Sequence, residues 1–344
     1  MSEYAALLRA LVTRCDLDAE SMAFAIGAIM DAEWSPAQAG AFLGALATKG
    51  ESVDEIVGAA EAMRARSLHV EHEFPLVVDT CGTGGDGAHT INISTAVGFV
   101  VAGCGLPVAK HGNRAASSRC GSADVLEACG IAIDGTPETA RMQLERYNFA
   151  FLFAQAYHPA MKEVAPVRRE LGVRTVFNLL GPLANPARAT HQVIGVADAG
   201  HLALLGEALE RLGARAGAIV HSASGLDEVG GDAPTDVYQF GGGAVRRWRV
   251  EPDSLGVNAP LQAIAGGSPG ENARALRAIL GGERSPRSDV VALNAALALV
   301  IADRAESLGD GLDQARAALA DGRARMAFDS LRIAGSTEME FAHE

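Results

Sequence analysis

The sequence has few basic residues, few aromatic residues and no long apolar run. Its 344 residues include 29 Lys and Arg against 42 Asp and Glu, so the net charge is −13 at pH 7. A chain this acidic lacks the electrostatic surface that binds nucleic acid. No apolar run reaches the roughly 18–20 residues of a membrane helix, and the acidic start MSEY is unlike the basic beginning of a secretory signal. We therefore expect a cytoplasmic protein that binds neither nucleic acid nor a membrane.

Cysteine is sparse, and its positions show no pairing pattern. Cys15, Cys81, Cys104, Cys120 and Cys129 are scattered along the chain, and no two of them form a CxxC motif. An odd number of scattered cysteines argues against both a disulfide framework and a structural zinc site. The five side chains are expected to be small buried thiols in a reducing compartment.

Helical patterns fill the first seventy residues. Apolar side chains recur every three or four positions in four stretches, which is the spacing of one helix face. Ser35 followed by Pro36 is typical of a helix start, and Ser52 with Glu55 forms the capping-box pattern that begins the next helix. Four short helices with tight connections predict a small helical domain over residues 1–70.

Strand patterns begin near Phe74. Five apolar runs have the length and composition of buried strands: PLVVDT, LPVAK, NFAFLFA, HQVIGV and AGAIVHS. Helical patterns separate most of them, and this alternation favours a mostly parallel sheet covered on both faces. VYQF and AVRRWRV are more polar and predict a hairpin or edge strands. The predicted fold class is α/β, with a mostly parallel central sheet flanked by helices in a large domain over residues 74–344, after the small all-helical N-terminal domain.

A glycine-rich loop follows the first predicted strand. Gly82, Gly84, Gly85 and Gly87 stand within DTCGTGGDG, and so many glycines let backbone N–H groups converge on an anion. Their spacing fits G-x-G-x-x-G, but where a dinucleotide site needs an acidic residue about 20 positions later, the sequence reads KHGN. The loop is not a P-loop either, because Ala88 follows Gly87 where Lys is required. We expect it to bind a phosphate group outside both standard nucleotide patterns.

A basic segment follows the next predicted strand. Residues 110–122, KHGNRAASSRCGS, carry three cations, a histidine, an asparagine and three serines. Cations interleaved with hydroxyls suit a polyanion. Because the carboxyl ends of parallel strands lie at one edge of a sheet, this segment and the glycine-rich loop are expected to share one pocket.

Two more pairs of charged residues are candidates for the same pocket. Asp227 and Glu228 follow the predicted strand AGAIVHS; alone they fit a solvated loop, but beside a multi-phosphate ligand they become candidate Mg²⁺ ligands. Arg168 and Arg169 stand early in a short predicted helix. One of them is a candidate for bidentate binding of a carboxylate substrate, and the other is expected to pair with an acidic residue.

Together these motifs resemble the anthranilate phosphoribosyltransferases of tryptophan biosynthesis. The matching stretches run in the family's order through nearly the whole chain: DTCGTGGDG, NISTA, KHGNRAASSRCGSADVLEACG, HPAMKEVAPVRRELGVRTVFNLLGPLANPA, GLDE and NAALALVIADRAESL. The resemblance implies transfer of the phosphoribosyl group of 5-phospho-α-D-ribose 1-diphosphate to the amino group of anthranilate, with release of pyrophosphate. It also implies a homodimer, and a helical domain that residues 1–70 form together with helices near 164–188.

The resemblance also assigns site residues. The diphosphate substrate would be held by the glycine-rich loop, the helix that follows it and the basic segment: Gly82, Gly85, Asp86, Thr90, Asn92, Ile93, Ser94, Thr95, Lys110, His111, Gly112, Asn113, Arg114, Ala115, Ala116, Ser117, Ser118 and Ser122. Anthranilate would contact Gly82, Asn113 and Arg168, with Arg168 near its carboxylate. Ser94, Asp227 and Glu228 would hold magnesium, with two Mg²⁺ ions per monomer. No side chain is assigned as a catalytic acid, base or nucleophile, since positioning and electrostatics carry the reaction.

The resemblance adds several supporting residues, and the sequence departs from the family pattern at Cys81, where a larger apolar residue is common, and in one loop. His111, Tyr157, His158, Arg174 and Pro182 stand at family-like positions, where packing or indirect contacts are the expected roles. Residues 221–225 read HSASG, where the family often has His-Gly-x-Asp-Gly.

Two other functions stay open on the residues. A nucleoside phosphorylase would share the architecture and would cleave a nucleoside with phosphate, but that class lacks this combination of motifs. A non-catalytic relative that binds a phosphorylated sugar or nucleic acid is the other. The intact Asp227–Glu228 pair and the net negative charge argue against it.

Overall fold

Four helices open the chain in the computed structural model, which describes residues 3–115 and 118–341. They are α1 (Glu3–Val12), α2 (Ala19–Met30), α3 (Pro36–Lys49) and α4 (Val53–Ala65). Ser52 Oγ caps α4 by accepting a hydrogen bond from Glu55 N at 3.3 Å, and the Glu55 carboxylate accepts one from Ser52 N at 2.8 Å. The predicted capping box is therefore present.

Seven strands form one sheet within the described residues. They are β1 (Val78–Gly82), β2 (Val108–Gly112), β3 (Phe149–Phe153), β4 (His191–Gly195), β5 (Ala216–Ser222), β6 (Thr235–Gly241) and β7 (Ala244–Val250). The order is β3-β2-β1-β4-β5-β6-β7; the first five strands are parallel, and β6 and β7 complete one edge as an antiparallel hairpin. This confirms the predicted fold class. The strand order reverses at β1, which pairs with both β2 and β4, and α/β proteins bind ligands at such a point.

Helices follow most of the strands and cover both faces of the sheet. They are α5 (Ile93–Gly103), α6 (Ser122–Ala128), α7 (Pro137–Tyr147), α8 (Ala154–Tyr157), α9 (Met161–Leu171), α10 (Phe177–Leu180), α11 (His201–Arg211), α12 (Pro269–Leu280), α13 (Pro286–Ile301), α14 (Leu308–Ala320) and α15 (Arg323–Phe341). None of the helices in the described ranges is both long enough and apolar enough to cross a membrane.

The two faces of the sheet belong to different apolar cores. Along β5, Val220 packs with α5 and α12–α15, whereas its neighbour Ile219 packs with α1–α4 and α11, because successive strand side chains point to opposite faces. Val164 and Val167 of α9 and Leu180 of α10 belong to the second core. The N-terminal helices, α9 and α10 therefore pack together in this second core.

Two details differ from the sequence predictions. β1 begins at Val78, three residues after Pro75, because proline has no N–H for the ladder and Val77 N donates instead to Thr190 Oγ1 at 3.0 Å. The prediction of five buried thiols is wrong for Cys15, which is exposed, and Cys81 is only partly buried. Cys15 lies in the short turn between α1 and α2, where little chain is available to cover it.

Candidate active site

A cavity of about 420 Å³ lies at the carboxyl ends of β1 and β2. Its walls are the loop after β1, the first turn of α5, the segment after β2, the last turn of α9, the start of α10 and the loop after β5. The cavity therefore stands where the strand order reverses, as expected for a ligand site in this class of fold.

The structure brings together all the predicted site residues that it describes. The residues that line the cavity include Gly82, Gly85, Asp86, Thr90, Asn92, Ile93, Ser94, Thr95, Lys110, His111, Gly112, Asn113, Arg114, Ala115, Ser118, Ser122, Arg168, Asp227 and Glu228. Ala116 and Ser117 lie outside the described residues. The glycine-rich loop and the basic segment thus share one pocket.

Backbone contacts hold the glycine-rich loop against two other segments. Thr83 N donates to Gly195 O at 2.9 Å, and Gly84 N donates to Asp227 Oδ2 at 2.8 Å. A Cβ atom at Gly82 would lie 2.6 Å from the same carboxylate oxygen, so glycine is required for this approach. The loop therefore places Asp227 at the end of β1.

The first turn of α5 presents hydroxyl groups to the cavity. Thr95 Oγ1 is buried and has no hydrogen-bond partner among the described residues. An unsatisfied hydroxyl beside the free N–H groups of a helix N-terminus suits an anionic ligand. Asn92 is engaged differently: its Nδ2 donates to Cys120 O at 3.1 Å, and its Oδ1 accepts from Asn272 Nδ2 at 2.8 Å. Asn92 thus joins α5 to the basic segment.

Lys110 places a buried positive charge in the cavity wall. Its side chain is almost fully buried, and Nζ donates to Thr80 O at 2.5 Å and to Ser94 Oγ at 3.2 Å. The charge opposes the rise in pKa that burial causes in Asp79 and Glu228. A lysine held in this way is oriented before any anion arrives.

The rest of the basic segment is less cationic than its sequence predicts. The Arg114 guanidinium forms salt bridges with Asp124 and Glu127, which neutralise it. Burial lowers the pKa of His111 to about 3, so its ring is neutral at pH 7. The ring is held by Gly181 O, 3.0 Å from Nδ1, and by His158 Nε2, 3.2 Å from its own Nε2.

Asn113 and Ser122 close the basic segment into a turn. Asn113 N donates to Ser122 Oγ at 3.1 Å, and Ser122 Oγ lies 3.2 Å from Asn113 O. A Cβ atom at Gly112 would collide with Ser122 Oγ, so the turn depends on that glycine. The arrangement leaves the Asn113 side chain at the cavity, where its Oδ1 accepts from Arg114 N at 2.8 Å and from Gln155 Nε2 at 3.3 Å.

Asp227 and Glu228 reach the cavity from the loop after β5. Burial and the nearby Asp86 carboxylate raise the pKa of Asp227, and burial and Asp227 raise the pKa of Glu228. A bound cation would compensate this negative charge, and carboxylate and hydroxyl oxygens are the ligands that Mg²⁺ prefers. Within the described residues, no group of three or more His, Cys, Asp or Glu side chains forms a metal site by itself. Substrate and water oxygens would have to complete the coordination.

The HSASG loop that precedes the carboxylates is closed by its own serines. Ser222 Oγ lies 2.9 Å from Ser224 Oγ, and Gly225 N donates to Ser222 O at 2.8 Å. Ser222 N also donates to Leu226 O at 3.1 Å. The departure from the family pattern therefore leaves a compact turn that delivers Asp227 to Gly84.

Arg168 forms part of the opposite wall. It lies in the last turn of α9 rather than early in the helix, which corrects the sequence prediction, because the helix begins at Met161. Its guanidinium carbon is 5.8 Å from the centre of the Phe177 ring, and burial lowers its pKa. Arg169 is exposed and does not line the cavity. Of the two arginines, Arg168 is therefore the candidate for a carboxylate.

Sequence reasoning missed several residues around the cavity. Phe177 and Asn178 line it, although FNLLGPL was recognised only as part of a matching stretch. Asp79 is fully buried; it accepts from His111 N at 3.2 Å and from Asn185 Nδ2 at 2.8 Å, so it joins the beginning of β1 to β2 and to the segment after α10. Polar residues inside apolar strands were the available signal, since a buried carboxylate needs partners.

Fold and cavity together define a glycosyl transferase. A family model described as the helical bundle domain of a glycosyl transferase family matches residues 5–67, and one described as the a/b domain matches residues 75–325. Anthranilate phosphoribosyltransferase of Symbiobacterium thermophilum is 49% identical over 339 residues, which cover 98% of this chain and 97% of the relative. The chain belongs to the anthranilate phosphoribosyltransferase family.

Solved structures agree with this assignment. The crystal structure of anthranilate phosphoribosyltransferase from Thermus thermophilus has a TM-score of 0.90 and 43% identity, and covers 95% of this chain and 98% of that one. The Saccharomyces cerevisiae enzyme in complex with PRPP and Mg has a TM-score of 0.89 and 26% identity, and covers 97% and 98% of the two chains. The fold is therefore shared over nearly the whole length of the chain.

Proposed function

We propose that this protein transfers the phosphoribosyl group of 5-phospho-α-D-ribose 1-diphosphate (PRPP) to the amino group of anthranilate, releasing pyrophosphate as a step of tryptophan biosynthesis. The observation that carries the proposal is the shared cavity. There a glycine-rich loop, a buried lysine and two carboxylates face Arg168. Membership of the family supports the same reaction.

Charge separation sets what the protein must stabilise. The electron pair of the C1–O bond leaves with pyrophosphate, the nitrogen lone pair forms the new C1–N bond, and the amine proton passes to water. Negative charge grows on the leaving group while positive charge grows on the ribose ring. Lys110 and the N–H groups at the start of α5 are positioned to stabilise the leaving group.

Anthranilate needs orientation more than activation. Its aromatic amine is neutral and nucleophilic at pH 7, so no strong general base is required. Arg168 would bind the carboxylate and Phe177 would pack on the ring, which points the amine at C1. His111 is neutral at pH 7 and is held by Gly181 and His158. We therefore propose that it forms part of the cavity wall and does not transfer a proton.

We propose that Asp227 and Glu228, with Ser94, hold Mg²⁺, two ions per monomer. The mutual repulsion of these two buried carboxylates supports this assignment, and the S. cerevisiae relative was solved with PRPP and Mg. Bound Mg²⁺ supplies charge neutralisation of the diphosphate. The role of this chain's residues is to fix the carboxylates, which Gly84 N does for Asp227.

The same proposal extends to the organisation of the protein. Residues 1–70 with helices near 164–188 would form one domain and residues 74–344 the other, and closure of the cleft between them would exclude water from the ribose cation. We propose a homodimer that works in the cytoplasm. The exposed side chains of Val12 and Phe24 on the N-terminal helices support a dimer, and the five free thiols support a reducing compartment. Sedimentation of the wild type and of Phe24→Asp tests the dimer.

A fluorescence assay tests the reaction directly. Anthranilate fluorescence should fall only when PRPP and Mg²⁺ are both present, and EDTA should stop the loss. Lys110→Met is the control for contaminating enzyme, since it removes the buried cation. Persistent anthranilate fluorescence in the complete mixture would refute the proposal.

A nucleoside phosphorylase is the rival that the same preparation can exclude. That activity would release base from thymidine or uridine with inorganic phosphate and would not need anthranilate. Base release without any anthranilate turnover would favour the rival.

A further inference from the structure

Both backbone polar groups of Gly84 form hydrogen bonds with side chains. Its N–H donates to Asp227 Oδ2 at 2.8 Å, and its carbonyl oxygen accepts from Arg174 Nη1 at 3.1 Å. The first partner follows β5, and the second stands between α9 and α10. One glycine residue therefore links the carboxylate pair to the helices that carry Arg168.

The backbone around Arg174 is fixed at its two ends. α9 stops at Gly172, which has φ +64°, and Gly172 N donates to Arg168 O at 3.3 Å. On the other side, Thr175 N donates to Asn178 Oδ1 at 2.9 Å, and Asn178 N donates to Thr175 O at 2.8 Å. The Arg174 side chain is exposed, but the backbone from which it projects is thus fixed on both sides.

Gly85 fits the Arg174 guanidinium. The residue has φ +85°, in the left-handed region that favours glycine, and a Cβ atom there would collide with Arg174 Nη1. The guanidinium therefore lies directly against the loop backbone. It also forms part of the partition between the main cavity and a neighbouring cavity of about 280 Å³.

We propose that Arg174 is a positioning residue: it holds Gly84 in the orientation in which the Gly84 N–H aligns the Asp227 carboxylate for the metal-bound diphosphate. Arg168, in the last turn of α9, and Arg174, in the loop that follows, both line the cavity, one against Phe177 and the other against Gly84. The identification of the ligand as a diphosphate rests on the proposed function, whereas the hydrogen bond between Arg174 and Gly84 does not depend on it.

The first measurement uses the protein without ligand. Amide hydrogen exchange of the peptide covering residues 82–90 should be faster in Arg174→Ala than in the wild type. It should be partly restored in Arg174→Lys, because Lys keeps one charged donor. Arg169→Ala is the matched control: it removes an exposed arginine from the same helix end and should leave exchange unchanged. An unchanged exchange rate in Arg174→Ala overturns the proposal.

The second measurement is titration calorimetry with Mg²⁺ and pyrophosphate, which needs no turnover. Arg174→Ala should bind the pair about tenfold more weakly, the loss expected for one charge-assisted hydrogen bond, while Arg169→Ala binds as the wild type does. The KM for PRPP should rise with it, and the KM for anthranilate should stay within about twofold of the wild-type value. Weaker binding without faster exchange would mean that Arg174 contacts the ligand itself, and unchanged binding would mean no role; either result overturns the proposal. If the wild type binds pyrophosphate but does not turn over anthranilate, the proposed function fails while the role of Arg174 stands.

Discussion

Lys110 Nζ donates a hydrogen bond to Ser94 Oγ across 3.2 Å, which fixes the cation at the end of β2 against the first turn of α5. The same nitrogen donates to Thr80 O at the end of β1. One lysine thus joins the three elements that form the floor of the cavity, and its charge is already in place before substrate binds.

Replacing Lys110 with Met should remove most of the activity and also cost some stability. Met fills a similar volume, but it leaves Thr80 O without its donor and the buried Asp79 and Glu228 without the positive charge that opposes the rise in their pKa, while the leaving group loses its fixed positive partner. We expect kcat/KM for PRPP to fall roughly 100- to 1000-fold. Steady-state kinetics measures the loss of activity, and thermal unfolding measures the change in stability. A kcat/KM close to the wild-type value, together with a lower unfolding midpoint, would show that Lys110 is mainly structural.

The Asp227 carboxylate should give the free protein a distinctive pH dependence. Burial and Asp86 raise its pKa from 3.8 to about 7. Between the two pKa values the folded state binds more protons than the unfolded state, so the contribution of this group to stability is lost as the pH rises from about 4 to about 7. We expect the free energy of unfolding to fall between about pH 4 and pH 7, and to fall less in Asp227→Asn. Denaturant titrations without Mg²⁺ measure the difference, and parallel curves for the two proteins would contradict it.

Asp227→Ala and Glu228→Ala should each raise the Mg²⁺ concentration needed for half-maximal rate and lower the maximal rate sharply. The reason is that each removes a carboxylate from a site that has no other complete ligand set in the described residues. Asp232→Ala, which removes a carboxylate that does not line the cavity, is the control. Unaltered Mg²⁺ dependence would refute the assignment.

Arg168→Ala should raise the KM for anthranilate by about tenfold or more, with a smaller effect on PRPP, because a half-buried guanidinium at the cavity is expected to bind the carboxylate. Arg168→Lys should restore little, since lysine cannot form two parallel hydrogen bonds. Arg169→Ala should behave as wild type. If anthranilate saturation is unchanged in Arg168→Ala, the residue only packs against Phe177.

Substitution of Glu55 tests the stability of the N-terminal helices rather than the function of the site. Its buried carboxylate accepts hydrogen bonds from Leu17 N at 3.0 Å, Ser52 N at 2.8 Å and Lys49 Nζ at 2.9 Å. Glu55→Ala should cost about 3 kcal/mol of stability, because it leaves the Leu17 and Ser52 N–H groups without their acceptor and removes one of the two carboxylates that pair with the nearly buried Lys49. Ser52→Ala, which loses only the cap bond, should cost about 1 kcal/mol. Denaturant titration compares the two, and equal losses would contradict the bonding scheme.

The local patterns predicted the elements well, because each depends on neighbours in the chain. The capping box at Ser52, the antiparallel β6–β7 hairpin and the apolar strands follow from turn chemistry and side-chain periodicity. Strand pairing depends on residues that are distant in the sequence. β1 continues through Cys81 and Gly82 because Ile194 and Gly195 of β4 lie beside them, and the sequence near β1 does not predict this. Likewise the sequence contains Arg114 as a cation, and only the approach of Asp124 and Glu127 neutralises it.

The order of glycines, hydroxyls, cations and carboxylates, read along the chain, was enough to indicate an α/β protein with a phosphate-binding pocket, since the chemistry of each group belongs to the residue itself. The transfer reaction and its diphosphate substrate were implied by the resemblance to the family. Protonation and orientation belong to the surroundings instead. Burial makes His111 neutral, and packing directs Arg168 and not Arg169 into the cavity. A hydrogen bond between residues that are 143 positions apart in the sequence holds Asp227 against Gly84. Such properties arise from desolvation and from contacts between distant segments, so they exist only once the chain has folded.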